Sequence, residues 1–121
     1  HGNPRVRSKA VSMLGELGET VTDVLIEKAA TDPDARVRAN AIEVMEQRGP
    51  IRFVPTLTER ARSGANRERA NAIKALSRMR VSAVHVHLSE MLRDRRPEHR
   101  VSALWCLRRI GWWKLLTDVA R

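Results

Sequence analysis

The sequence predicts an all-α right-handed solenoid of about four helical hairpins. Three observations carry this: a stretch that recurs every 31 residues, apolar positions spaced about three, four and seven apart inside each copy, and a glycine or proline break between the halves of a copy. Four segments align without a gap: Asn3–Val11 (NPRVRSKAV), Asp34–Ile42 (DARVRANAI), Ala65–Ile73 (ANRERANAI) and Arg96–Leu104 (RPEHRVSAL). Arg7, Arg38, Arg69 and Arg100 share one slot, and Ala10, Ala41, Ala72 and Ala103 another. Val11, Ile42, Ile73 and Leu104 follow, then Leu14, Met45, Leu76 and Leu107. The repeats run about 1–31, 32–62, 63–93 and 94–121 within a single domain.

In the first repeat, Asn3 followed by Pro4 reads as an N-cap with a first-turn proline, and Gly18 as the stop of the first helix. In the second, Asp34 caps the helix that carries Val37, Ala41, Val44 and Met45. Gly49-Pro50 breaks the chain, and a second helix carries Val54, Leu57 and Ala61, with Pro55 near its start where a missing backbone donor is tolerated. The third repeat is the least regular. In the fourth, Gly111 stops the first helix and Arg121 falls about nine residues into the second. The alanine slot permits close helix approach, and the Val/Ile/Leu slots fill the layer between hairpins. One hairpin cannot bury its apolar face alone, so each completes the core of its neighbour.

Composition bounds the remaining possibilities. The chain has 121 residues, 23 basic against 14 acidic and a net charge of +9; one cysteine excludes an internal disulfide framework. No apolar run approaches the roughly 20 residues that cross a bilayer, and no secretory signal opens the chain, so a cytoplasmic setting is expected. A start at His1-Gly2, together with outer repeats that lack polar caps, leads us to expect a piece of a longer, bacterial-type protein.

The segment DARVRANAIEVM (Asp34–Met45) with Gly49, followed by Val54-Pro55-Thr56-Leu57, resembles the HEAT repeat family, specifically its short phycobilisome-lyase-like variant. The likeness covers essentially the whole chain. It implies an armadillo/HEAT-like superhelix and a binding scaffold, and it is unspecific for activity. The pattern departs where Ser63 and His1 stand in the slot of Asp32, where Arg80 replaces Gly49, and where Arg96 stands at an expected N-cap. The resemblance also implies a structural role for Arg7, Arg38, Arg69 and Arg100: each ties adjacent repeats by bonding an acidic side chain, as Asp32 and Asp94 allow, or a loop carbonyl.

Charge is unevenly distributed. Residues 1–31 hold four basic and four acidic groups, 32–62 six and five, 63–93 six and two, and 94–121 seven and three. Toward the end of the first helix one slot runs Glu16, Gln47, Arg78, Arg109 and its neighbour Gly15, Glu46, Ser77, Arg108. With Arg80 this makes a basic edge suited to an acidic partner surface, although cations there also complement the helix dipole. All three tryptophans lie in the fourth repeat. Trp105 occupies the polar slot of Ser12, Glu43 and Lys74, and Trp112 and Trp113 fall at the turn beside Lys114. They read as packing against a further segment of the parent, as a partner or ligand site, or as membrane-interface anchors.

Catalytic chemistry finds little support. Cys106 shares its slot with Met13, Val44 and Ala75 and reads as a buried hydrophobe. His85 and His87, two apart on a helix, face different ways and do not suit a metal. No phosphate loop, nucleophile elbow or HExxH is present. The expectation is therefore a non-catalytic protein-interaction or scaffolding module without cofactor or metal. Its partner is a protein or an adjacent domain of the parent, met at the basic edge and at an inner face lined by second helices (Arg52, Thr56, Glu59, His87, Glu90, Lys114). Two alternatives follow from the family: a DNA-glycosylase-like nucleic-acid binder, disfavoured by the scarcity of aromatic residues, and a phycobilin-lyase-like protein.

Overall fold

A computed structural model of the chain describes residues 2–17, 22–49 and 51–111. Its elements are α1 (Pro4–Leu17), α2 (Asp23–Ala29), α3 (Ala35–Arg48), α4 (Val54–Ser63), α5 (Asn66–Arg78), α6 (Val84–Leu92) and α7 (Pro97–Ile110), with one 3₁₀ turn at Ile51–Phe53 leading into α4. No strand occurs among the described residues. Helices α1, α3, α5 and α7 form one row, each packed on the next. Helices α2, α4 and α6 form a second row and lie against α3, α5 and α7, the first helices of the following hairpins. The fold is an α-solenoid.

Local chemistry sets the helix ends. The backbone N–H of Arg5 donates to Asn3 Oδ1 at 2.9 Å, and that of Arg36 to Asp34 Oδ1 at 2.8 Å, so both residues cap as their side chains dictate. Pro55 sits in the first turn of α4. Ala65 and Arg96 make no side-chain cap bond. Instead Asp94, two residues before Arg96, accepts the Arg96 N–H at 3.0 Å, as Asp32 accepts that of Asp34 at 2.9 Å. Gly49 (φ +70°) and Gly111 (φ +88°) stop α3 and α7 at a positive φ, which favours glycine; Arg80 also has a positive φ (+61°) beyond α5. Gly18 lies outside the described residues.

The core runs between the two rows. Ile26, Phe53, Leu57 and Met91 come from the second-row side and Ile42, Met45, Ile73 and Leu76 from the first, all fully buried. Each such side chain contributes about 1.5–3 kcal/mol of transfer free energy. Ala41, Ala72 and Ala103 are fully buried at helix crossings. Ala10 is exposed, which corrects the expectation for its slot: among the described residues no helix packs on the side of α1 where α3, α5 and α7 each meet a predecessor.

Candidate functional site

Four arginines at equivalent positions on α1, α3, α5 and α7 make different bonds. Arg7 grips Asp32 with two nitrogens, Nε to Oδ2 at 2.9 Å and Nη2 to Oδ1 at 3.0 Å. Arg38 donates through Nη1 to the carbonyls of Asp32 and Pro33 (2.8 and 2.9 Å) and through Nη2 to Glu68 Oε1 (2.7 Å). Arg69, buried, donates to the Ala61 carbonyl, to Asp94 Oδ2 at 2.8 Å and to His99 Nδ1 at 3.1 Å. Because a guanidinium only donates, Nδ1 of His99 is the unprotonated nitrogen. Arg100 is exposed and holds its own loop, donating to the carbonyls of Asp94 and Arg95 at 2.8 and 2.9 Å.

The two aspartates are held ionised. Arg7, then the Asp34 N–H, lower the pKa of Asp32 below the usual carboxylate value. Asp94 is held well below that range, first by the Arg96 side chain and backbone N–H and, against burial, by Arg69. Asp23 on α2 pairs with Arg48 at the end of α3, and Glu27 on α2 pairs with Arg52 in the 3₁₀ turn. Arg52, an expected inner-face contact, is therefore tied to Glu27 at 3.0 Å. His87 is 7% exposed rather than presented on a surface, because its helix position faces the core. Its Nδ1 has no hydrogen-bond partner among the described residues, and burial lowers its pKa. The expectation of His87 as a surface contact is thereby corrected.

The basic edge divides into two parts. Arg78 bonds Glu46 Oε2 at 2.9 Å, and Lys74 reaches the other oxygen at 3.3 Å, so this end belongs to the α3–α5 junction. Arg80, Arg108 and Arg109 are exposed. Arg80 lies beyond α5, while on α7 Arg108 and Arg109 adjoin a helix face that is apolar and uncovered among the described residues: Val101 is 65%, Leu104 53% and Trp105 44% exposed. The Arg109 guanidinium lies 6.0 Å from the Trp105 ring centre, at the limit of a cation–π contact. Val101, Leu104, Trp105, Arg108 and Arg109 line an open groove of about 590 Å³. The composition pointed to Trp105 and the arginines. It did not single out Val101, or Leu104, whose slot holds the buried Val11, Ile42 and Ile73 in the preceding repeats. Trp112, Trp113 and Lys114 lie outside the described residues.

Cys106 is fully buried, donates to the Ala70 carbonyl and has its thiol pushed up to about 12 by desolvation, far from a nucleophile at neutral pH. No group of three or more His, Cys, Asp or Glu able to hold a metal occurs among the described residues. No described helix is long and apolar enough to cross a membrane.

No curated protein matches the chain in sequence. The family model for HEAT repeats matches residues 1–77, which spans α1 to nearly the end of α5 and includes the Arg7–Asp32 and Arg38–Glu68 ties. With two rows of helices stacked hairpin on hairpin, and that match over more than half its length, the chain belongs to the HEAT repeat family.

Proposed function

We propose that this chain is a non-catalytic protein-interaction module that meets an acidic protein surface with the basic, Trp-bearing edge of α7. HEAT repeats generally mediate protein–protein interaction or scaffolding. The single observation that carries the location is the strip Val101, Leu104, Trp105, which is exposed in the middle of α7 and followed by Arg108 and Arg109. Exposed apolar side chains beside cations that form no ion pair among the described residues suit a partner that offers both apolar area and carboxylates.

The test is a pull-down comparing the native chain with a variant in which Arg80, Arg108 and Arg109 are changed to Glu, with Arg78 left in its pair with Glu46. Loss of the captured partners supports the reading, and equal recovery removes the basic edge from it. A gel shift at low salt separates this from nucleic-acid binding: retardation of DNA or RNA that disappears in the same variant replaces the protein partner with a phosphate backbone.

A further inference from the structure

One slot in the first turn of the first helices runs Val6, Val37, Glu68, His99. At two junctions the residue in that slot is the acceptor for the ladder arginine of the helix before it. Arg38 Nη2 donates to Glu68 Oε1 at 2.7 Å between α3 and α5, and Arg69 Nη1 donates to His99 Nδ1 at 3.1 Å between α5 and α7. The seat is the same and the chemistry differs. A carboxylate remains an acceptor at any pH above about 4, whereas an imidazole of ordinary pKa, about 6.5, gains a proton in mild acid. Nδ1 is the bare nitrogen of the neutral ring, so that proton lands on the atom to which Arg69 donates.

Little around His99 offsets the new charge. Arg69 and His99 are each 4% exposed. The ring faces Arg69 from α5, Asp94 from the loop, and Arg96 and Glu98 at the start of its own helix. Asp94 already accepts Arg69 at 2.8 Å and Arg96 at 2.9 and 3.0 Å, one carboxylate between two guanidiniums. Glu98 is exposed, where water screens it. His87 adds to the imbalance. It is buried on α6, its Nδ1 has no partner among the described residues, and the charged groups facing it are Glu90 and His85 on its own helix, Arg62 on α4 and Arg69 on α5. Burial is the first cause that lowers the pKa of both histidines, and Arg69 acts in the same direction on each.

The histidines of the described residues, His85, His87 and His99, all lie on α6 and α7. The Arg7–Asp32 and Arg38–Glu68 ties of the earlier repeats end on carboxylates. Repeats of a solenoid touch mainly their neighbours, so one junction can open without the others. We propose that the α5–α7 junction is an acid-operated latch: a proton on Nδ1 of His99 breaks its bond to Arg69 and releases α6 and α7 from α5, while α1 to α5 stay stacked.

Cys106 reports the opening, because it is fully buried at the same crossing and donates to the Ala70 carbonyl. Its reaction with dithiodipyridine is timed on the native chain and divided by the rate for the urea-unfolded chain at the same pH, which cancels the thiol's own ionisation. A histidine that is neutral in the closed form and of ordinary pKa in the open one raises the opening equilibrium about thirtyfold at pH 5. The expected result is a rise of about tenfold to thirtyfold between pH 7.5 and pH 5. Hydrogen exchange on the same native chain, corrected for intrinsic rates, is expected to lose protection in α6 and α7 by a like factor and to keep it in α1 and α3. His99→Asn and His99→Glu each offer Arg69 an oxygen that takes no positive charge, and both are expected to flatten the rise. A flat profile in the native chain, an equal loss of protection in α1 and α3, or a rise that survives in both variants overturns the inference.

Discussion

Arg38 on α3 donates to Glu68 on α5 at 2.7 Å, and this pair stands in for one that the sequence lacks. Arg7 and Arg69 each reach an aspartate 25 residues on, Asp32 and Asp94, in loops that follow α2 and α6. The residue 25 beyond Arg38 is Ser63, which still belongs to α4 and bonds back to the Glu59 carbonyl. The acid comes instead from the first turn of α5, in the slot that holds Val6 and Val37 in the earlier repeats.

Removing either partner leaves the other with only its weaker contacts, Glu68 with Arg60 Nη1 at 3.7 Å and Arg38 with its two loop carbonyls. The Arg38 and Glu68 side chains are 19% and 5% exposed, so Arg38→Ala and Glu68→Ala are each expected to destabilise the fold by about 3 kcal/mol, the range for breaking a buried pair from one side. The double variant loses less than the sum. Urea unfolding of all four proteins measures the coupling.

Gly15 is required by the α1–α3 crossing. A Cβ there meets both methyl groups of Val44 at 2.8 Å, and valine has little rotameric freedom on a helix. Gly15→Ala gains about 1 kcal/mol of helix propensity and loses about 1–3 to overpacking, so we expect a net loss of up to ~2 kcal/mol. Adding Val44→Ala relieves the clash, and the pair of changes costs less than the two single effects together. Thermal melts of the three variants give the comparison.

Arg80 holds φ +61° at the end of α5, where α3 and α7 use glycine. The left-handed conformation costs an L-residue about 1–2 kcal/mol, part of which glycine loses again through unfolded-chain entropy. Arg80→Gly is expected to stabilise the chain by about 0.5–1 kcal/mol, seen as a higher denaturation midpoint with an unchanged slope. Arg80→Val is expected to destabilise it.

Acidification weakens the fold in two stages. Burial, with Arg96 adding at His99, lowers the pKa of His87 and His99 below 6.5, so the unfolded chain takes up these protons first. Their contribution is complete above pH 6.5 and declines as the pH falls through the folded values. Asp32 and Asp94, lowered from 3.8 by their arginine and backbone donors, contribute above that pH and lose their share only below it. Unfolding midpoints at pH 7.5, 5.5 and 3.5 are expected to fall at each step. A His87→Leu, His99→Gln variant flattens the first step and leaves the second.

The helical ladder was legible because one slot repeated four times leaves little freedom: Ala41, Ala72 and Ala103 sit where their spacing puts them, and Asn3, Asp34, Pro55 and Gly49 act through backbone chemistry within a few residues. Glu68 was not legible as a partner of Arg38. Its slot is apolar in the two repeats before it, and only the position of Ser63 inside α4 leaves the guanidinium to be met from α5. His87 illustrates the opposite case. A polar residue on an amphipathic helix reads as outward, and its burial follows from how α6 is rotated against its neighbours, which spacing does not resolve.

Sequence alone determined the helical hairpins, the family and the accumulation of arginine toward the C-terminal half, since each of these is encoded in residues near one another in the chain or in the recurrence of a slot. Tertiary structure alone decided which face of which helix stays wet. Leu104 occupies a slot that is dry in the preceding repeats, and it differs in having no neighbour laid over it among the described residues. Exposure is a property of what packs alongside, so it becomes visible only when the helices are placed.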